Sequence, residues 1–142
     1  MKKYLVIRNT IEHSLSPKLH NYWFEKNNID ATYDRRKTDK SEIQEIVNEI
    51  KDNKLDGINV TVPFKTDVIP FLDTLSEEAQ ITQSVNTIYM YDKKLVGHNT
   101  DIKGFELSLK DTQFDLNNKS ILILEDGSVV HYLIYDIEKL GV

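Results

Sequence analysis

The stretch Gly57-Ile58-Asn59-Val60-Thr61-Val62-Pro63-Phe64-Lys65 decides the fold class. Its β-branched run suits a strand, two-residue alternation puts Asn59 and Thr61 on one face, and Pro63 ends it. Directly upstream, Asp39 to Asn53 carries Ile43, Ile46, Val47 and Ile50 at i, i+3, i+4 and i+7, the stripe of an amphipathic helix. Asp39 and Glu42 stand at capping-box spacing at its start. A helix feeding a strand is the α/β signature, and the pattern extends in both directions. Upstream, Tyr4 to Ile7 reads as a strand, and Ser16-Pro17 as a helix start. Leu19, Tyr22, Trp23 and Lys26 follow at helical spacing, Asn27-Asn28 ends that helix, and Ala31 to Arg36 reads as a second strand. Downstream, Lys65 to Leu72 and Ser76 to Thr82 read as short helices. Thr87 to Tyr91 and Lys94 to His98 read as a hairpin around Asp92-Lys93, and Asp101 to Lys110 as a helix. The expected fold is α/β in three layers, a mixed, mostly parallel sheet flanked by helices.

Asn117-Asn118 reads as a boundary, dividing residues 1–117 from 118–142. After it, Ser120 to Leu124 has the character of a buried strand. A helix then begins near Gly127, with Val130, Leu133, Ile134, Ile137 and Leu140 on one side. A parallel β-α unit needs a following strand to bury its helix, and none follows here. The expectation is the first strand and helix of a truncated second domain, with the apolar helix over 129–140 able to mediate a homodimer.

The chain has 142 residues, 18 Lys+Arg against 23 Asp+Glu, and no Cys. Disulfide scaffolds and thiol chemistry are excluded. His13, His20, His98 and His131 lack the paired spacing of a zinc site, so no metal is expected. A net charge of −5 with interspersed signs argues against a nucleic-acid surface. Only four apolar residues (Tyr4 to Ile7) precede Arg8, too few for a signal peptide, and no run reaches membrane-spanning length. No membrane partner and a cytoplasmic location are therefore expected.

Four polar clusters fall at element edges, where α/β proteins place ligands. His13-Ser14-Leu15-Ser16-Pro17 and His20-Asn21 precede and open a helix, where two hydroxyls and the helix amino end suit a carboxylate or polyol. Simple capping by Ser16 explains the same residues. Asn59, Thr61 and Lys65 place an amide, a hydroxyl and an amine near one strand end, although a lone Lys is commonly a solvated surface residue. Ser84-Val85-Asn86-Thr87 is a polar turn entering a strand. Gly97 to Gly104 includes Asn99, Thr100 and Asp101, which ordinary helix capping would also explain.

In this order and spacing, the clusters resemble the substrate-binding half of the shikimate dehydrogenases. The matching segments are Ile11 to Pro17 with His20-Asn21, Asn59 through Lys65, Val85-Asn86-Thr87, and Gly97 through Gly104. The resemblance implies a place in the shikimate pathway to aromatic amino acids. It also implies NADP-dependent interconversion of 3-dehydroshikimate and shikimate. Ser14 and Ser16 correspond to hydroxyls that hold the substrate carboxylate. Asn59, Thr61, Asn86 and Asp101 correspond to residues that bind ring hydroxyls, and Lys65 with Asp101 to the catalytic pair.

The chain departs from the family at Arg8-Asn9-Thr10, where Gly-x-Pro is usual. It departs again at Glu125-Asp126-Gly127-Ser128, where a glycine-rich loop receives the NADP pyrophosphate. Two carboxylates in that loop oppose a phosphate, so this chain is expected not to bind NADP. Two functional expectations result: a shikimate dehydrogenase, or a non-catalytic module or remnant that binds shikimate or quinate-like acids.

Overall fold

The structure, a computed structural model, describes residues 1–10, 14–112, 117, 119–124, 130, 133, 134 and 137. Its strands are β1 (Lys2–Arg8), β2 (Ala31–Lys37), β3 (Gly57–Val60), β4 (Thr74–Leu75), β5 (Thr87–Tyr91) and β6 (Lys94–His98). Its α-helices are α1 (Ser16–Lys26), α2 (Ile43–Lys51), α3 (Glu77–Thr82) and α4 (Asp101–Asp111). The strands form one sheet in the order β2-β1-β3-β5-β6-β4. Pairs β1–β2, β1–β3 and β4–β6 are parallel, whereas β3–β5 and β5–β6 are antiparallel. The expected mixed, mostly parallel α/β sheet is the one observed.

Pleating of β1 explains the layers. Leu5 and Ile7 face one side and enter the main core with Ile43, Ile46, Val47 and Ile50 of α2. Tyr4 and Val6 face the other side, where they pack with Tyr33 and with Phe24 of α1. Arg36 of β2 reaches α2 through two bonds to Glu49 (2.6 and 3.1 Å). At the start of the α2 segment, the Asp39 N–H donates to Glu42 Oε2 (2.7 Å), as the capping-box spacing predicts.

Several local expectations are corrected. Ser16 does not cap α1. It is the first helical residue, after Leu15, and no side chain caps that end. The Leu19, Tyr22 and Trp23 stripe does not face the sheet and stays exposed. His20, Asn21 and Phe24 make the contacts with β1 and β2 instead. Lys65 to Leu72 forms turns and a short 3-10 segment at Ile69–Phe71 rather than an α-helix, consistent with the missing N–H of Pro70. The two-residue β4 was not anticipated.

Ser120 to Leu124 carries no strand, and Leu122 and Leu124 are strongly exposed. A parallel-type strand needs a hydrogen-bonding neighbour, and no described residue supplies one. Residues 125–128 lie outside the described residues, as does most of the segment 129–140. Among the described residues, no helix is long and apolar enough to cross a membrane. No metal-holding cluster is found among them either.

Candidate active site

The topology brings three loops to one end of the sheet. Because β5 runs against β3 and β6 against β5, the end of β3, the start of β5 and the end of β6 coincide. Asn59 pairs with Thr87, and Thr87 pairs with His98. The segment after β3 stays beside β1, because the Thr61 N–H donates to Ile7 O (3.3 Å). Phe64 closes a turn onto Thr61 and is buried. Lys65 is then fixed through its carbonyl, which accepts from the Val85 N–H (2.9 Å). Beyond β6, the fully buried Asn99 accepts from the Asp101 N–H (2.8 Å) and donates to Ser84 O (2.9 Å). Asn99 thus holds the first residue of α4 and ties it to the turn before β5.

These loops meet around a cavity of about 430 Å³. Of the seven side chains expected at a site, Ser16, Asn59, Thr61, Lys65, Asn86 and Asp101 line it. Ser14 is partly buried but does not line it. Lys65 Nζ donates to Asp101 Oδ2 at 2.7 Å, with side-chain exposures of 14% and 29%. The other oxygen, Asp101 Oδ1, accepts from Asn86 Nδ2 (2.9 Å). Asn59 donates to Asn86 O (3.1 Å) and Thr87 Oγ1 (3.0 Å). An ammonium, a carboxylate and two hydroxyl or amide groups on one wall can bind and orient a polyol. The ammonium can also exchange a proton with a ligand oxygen.

Tyr33 completes the wall and was missed from sequence. Its hydroxyl donates to Asn59 Oδ1 (2.7 Å) and also shares a hydrogen bond with Ser16. Burial pushes the phenol well above its usual range, and the Ser16 bond acts weakly the other way, so Tyr33 stays a neutral donor. Asn21 holds its backbone at both groups, accepting from the Tyr33 N–H (2.8 Å) and donating to its carbonyl (2.7 Å). His20 stacks on the ring at 4.1 Å. Tyr33 is the large apolar side chain on its face of a strand otherwise rich in charge, and that signal was available. A wider hollow of about 710 Å³ adjoins the cavity and shares His20, Tyr33 and Asn59. The Lys65–Asp101 pair lies in the smaller one. Arg8, which breaks the expected Gly-x-Pro, is exposed at the end of β1. The expected cofactor loop, Glu125 to Ser128, lies outside the described residues.

Comparison with known proteins gives the family of this fold. A family described as "Shikimate dehydrogenase substrate binding domain" matches residues 6–88. The chain is 54% identical over 141 residues to the shikimate dehydrogenase (NADP(+)) of Pelagibacter ubique, covering 99% of this chain and 53% of that protein. Shikimate dehydrogenase 1 from Peptoclostridium difficile aligns with a TM-score of 0.91 at 31% identity, over 100% of this chain and 54% of that one. The shikimate 5-dehydrogenase of Listeria monocytogenes, solved in complex with shikimate and NAD, aligns with a TM-score of 0.90 at 32% identity, over 99% and 49%. The chain spans about half the length of the curated relatives it matches. The family match covers more than half of the 142 residues and takes in Ser14, Ser16, Asn59, Thr61, Lys65 and Asn86, and with it the chain belongs to the shikimate dehydrogenase family.

Proposed function

We propose that this chain provides the shikimate-binding half of a shikimate dehydrogenase and handles the proton of the reacting hydroxyl. The observation that carries this is the Lys65–Asp101 pair, closed at 2.7 Å beside Asn59 and Thr61 in one cavity. Interconverting an alcohol and a ketone moves a hydride at carbon and a proton at oxygen. Among the described residues, only Asp101 engages a Lys65 N–H group, which leaves two of the three for a ligand oxygen. The Asp101 carboxylate orients the ammonium and compensates its charge, so a proton can be exchanged with a bound hydroxyl. Asn59 and Thr61 would hold neighbouring ring hydroxyls. Ser16, at the amino end of α1, would receive the ligand carboxylate with Ser14 close by in sequence, helped by the helix dipole.

The curated relatives are named for NADP(+), a nicotinamide cofactor that would supply the hydride chemistry. The loop that the resemblance sets against its phosphates, Glu125 to Ser128, lies outside the described residues, and the role proposed for this chain is binding and proton handling. The two parts 1–117 and 118–142 belong to the same proposal, the first carrying the site and the second beginning the cofactor side.

Ligand-observed NMR with shikimate tests this directly. Saturation transfer to the shikimate ring protons is expected with the wild-type chain. Lys65→Ala should weaken binding about ten-fold or more, since a hydrogen bond from a charged group is lost. No transfer at millimolar shikimate refutes the proposal.

A further inference from the structure

Tyr33 stands on β2 and Asn59 on β3, with β1 between them. Two strand spacings put their backbones about 10 Å apart, too far for direct pairing. The Tyr33 side chain crosses that gap. Its ring packs with Val6 of β1, and its hydroxyl donates to Asn59 Oδ1 (2.7 Å). A phenol has one hydrogen to give, so the bond with Ser16 runs the other way, from the Ser16 hydroxyl to the Tyr33 oxygen. The run continues in the same sense. Asn59 Nδ2 donates to Thr87 Oγ1 (3.0 Å), the Thr87 hydroxyl to Asn86 Oδ1 (3.0 Å), and Asn86 Nδ2 to Asp101 Oδ1 (2.9 Å). Each donor points toward the carboxylate, and hydrogen bonds aligned in this way strengthen one another. Helix α1 also fixes Tyr33 from behind, by the His20 stack and by the two bonds from Asn21 to its backbone.

We propose that Tyr33 is a positioning residue, whose hydroxyl joins the amino end of α1 to the Asn59 amide on β3. The ring serves packing and the hydroxyl serves the site. One oxygen is bonded to both partners, so Ser16 Oγ and Asn59 Oδ1 are held within about 6 Å of each other. Tyr33 thereby sets the spacing between the place for a ligand carboxylate and the place for a ring hydroxyl. Those two ligand roles rest on the shikimate-binding reading, whereas the hold on Asn59 does not.

Tyr33→Phe keeps the ring and removes the hydroxyl. The Asn59 side-chain amide, followed by proton–nitrogen correlation NMR in the ligand-free chain, reports the hold. Its hydrogen exchange should be at least about three-fold faster in the variant than in the wild type. The buried Asn99 amide, bonded to Ser84 O (2.9 Å) outside this run, should change less than about two-fold. Ser16→Ala removes the donor behind Tyr33 and should give a smaller acceleration at Asn59. It decides the matter if Tyr33→Phe does not fold. Unchanged Asn59 exchange in a folded variant, or equal acceleration at Asn99, overturns the proposal. In the ligand arm, Tyr33→Phe should weaken shikimate binding about five-fold in the wild-type background and less than about two-fold in an Asn59→Ala background. Equal losses in both backgrounds show that Tyr33 does not act through Asn59 and overturn it. If the wild-type chain binds no shikimate, the functional reading fails alone, and Asn59 exchange still decides the role of Tyr33.

Discussion

His20 and Tyr33 lie nearly parallel, with ring centroids 4.1 Å apart and planes inclined by 10°. Burial lowers the His20 pKa below its usual value, because a charged imidazolium is poorly solvated against the ring. As pH falls through the ordinary His value, the unfolded chain therefore takes up a proton before the folded one does. Stability is lost over the window between that value and the lower folded one. Proton-carbon NMR should place the His20 midpoint below that of a model peptide, and His20→Gln should flatten the fall of Tm in that window. A midpoint above the peptide value contradicts this. Sequence identified six of the cavity-lining residues, but through four ordered motifs together, not through local pattern. Lys65 and Asp101 are 36 residues apart, and no periodicity joins them. Tyr33 escaped because its role depends on Ser16 and Asn59, which only the folded sheet brings to it.

At the scale of elements, the β5–β6 hairpin was legible even though its turn lacks glycine. Asp92 and Lys93 both take left-handed backbone, with φ of 46° and 61°, as a tight two-residue hairpin turn demands. That conformation costs an L-residue about 1–2 kcal/mol. Lys93→Gly should raise stability by a net of about 0.5–1 kcal/mol, after the greater freedom of glycine in the unfolded chain is subtracted. A higher urea midpoint at unchanged m-value is the expected result, and an unchanged midpoint is the contrary one. Gly97 in β6 is set by packing. A Cβ there would lie 2.5 Å from Leu72, and 2.9 Å from both Leu75 and Val85. Gly97→Ala should cost about 1–3 kcal/mol, measured by the same titration. A loss below about 0.5 kcal/mol would mean that the three side chains give way easily. The helix α1 shows where pattern misleads. Leu19, Tyr22 and Trp23 make the obvious apolar stripe, yet the sheet is met by Phe24 and by polar His20 and Asn21, because Asn21 must reach the backbone of β2. The segment over Ser120 to Leu124 shows the limit from the other side. Apolar composition marks a strand candidate, but a strand exists only where a neighbour accepts its hydrogen bonds.

For the whole molecule, alternating helix and strand signals were enough for the α/β class. The sheet order was not legible, because it depends on pairings distant in sequence such as β1 with β3. That order is also what makes a site, by bringing the ends of β3 and β6 together across the start of β5. The central claim is that this sheet end is a shikimate site carried by the present chain, although the chain spans about half the length of its curated relatives. Backbone amide shift mapping during a shikimate titration tests it most directly. The account predicts saturable shifts concentrated at Ser16, residues 59–65, 86–87 and 99–101, with Lys65→Ala moving saturation to about ten-fold or more higher shikimate. Shifts absent at millimolar shikimate, or centred away from these residues, would contradict it.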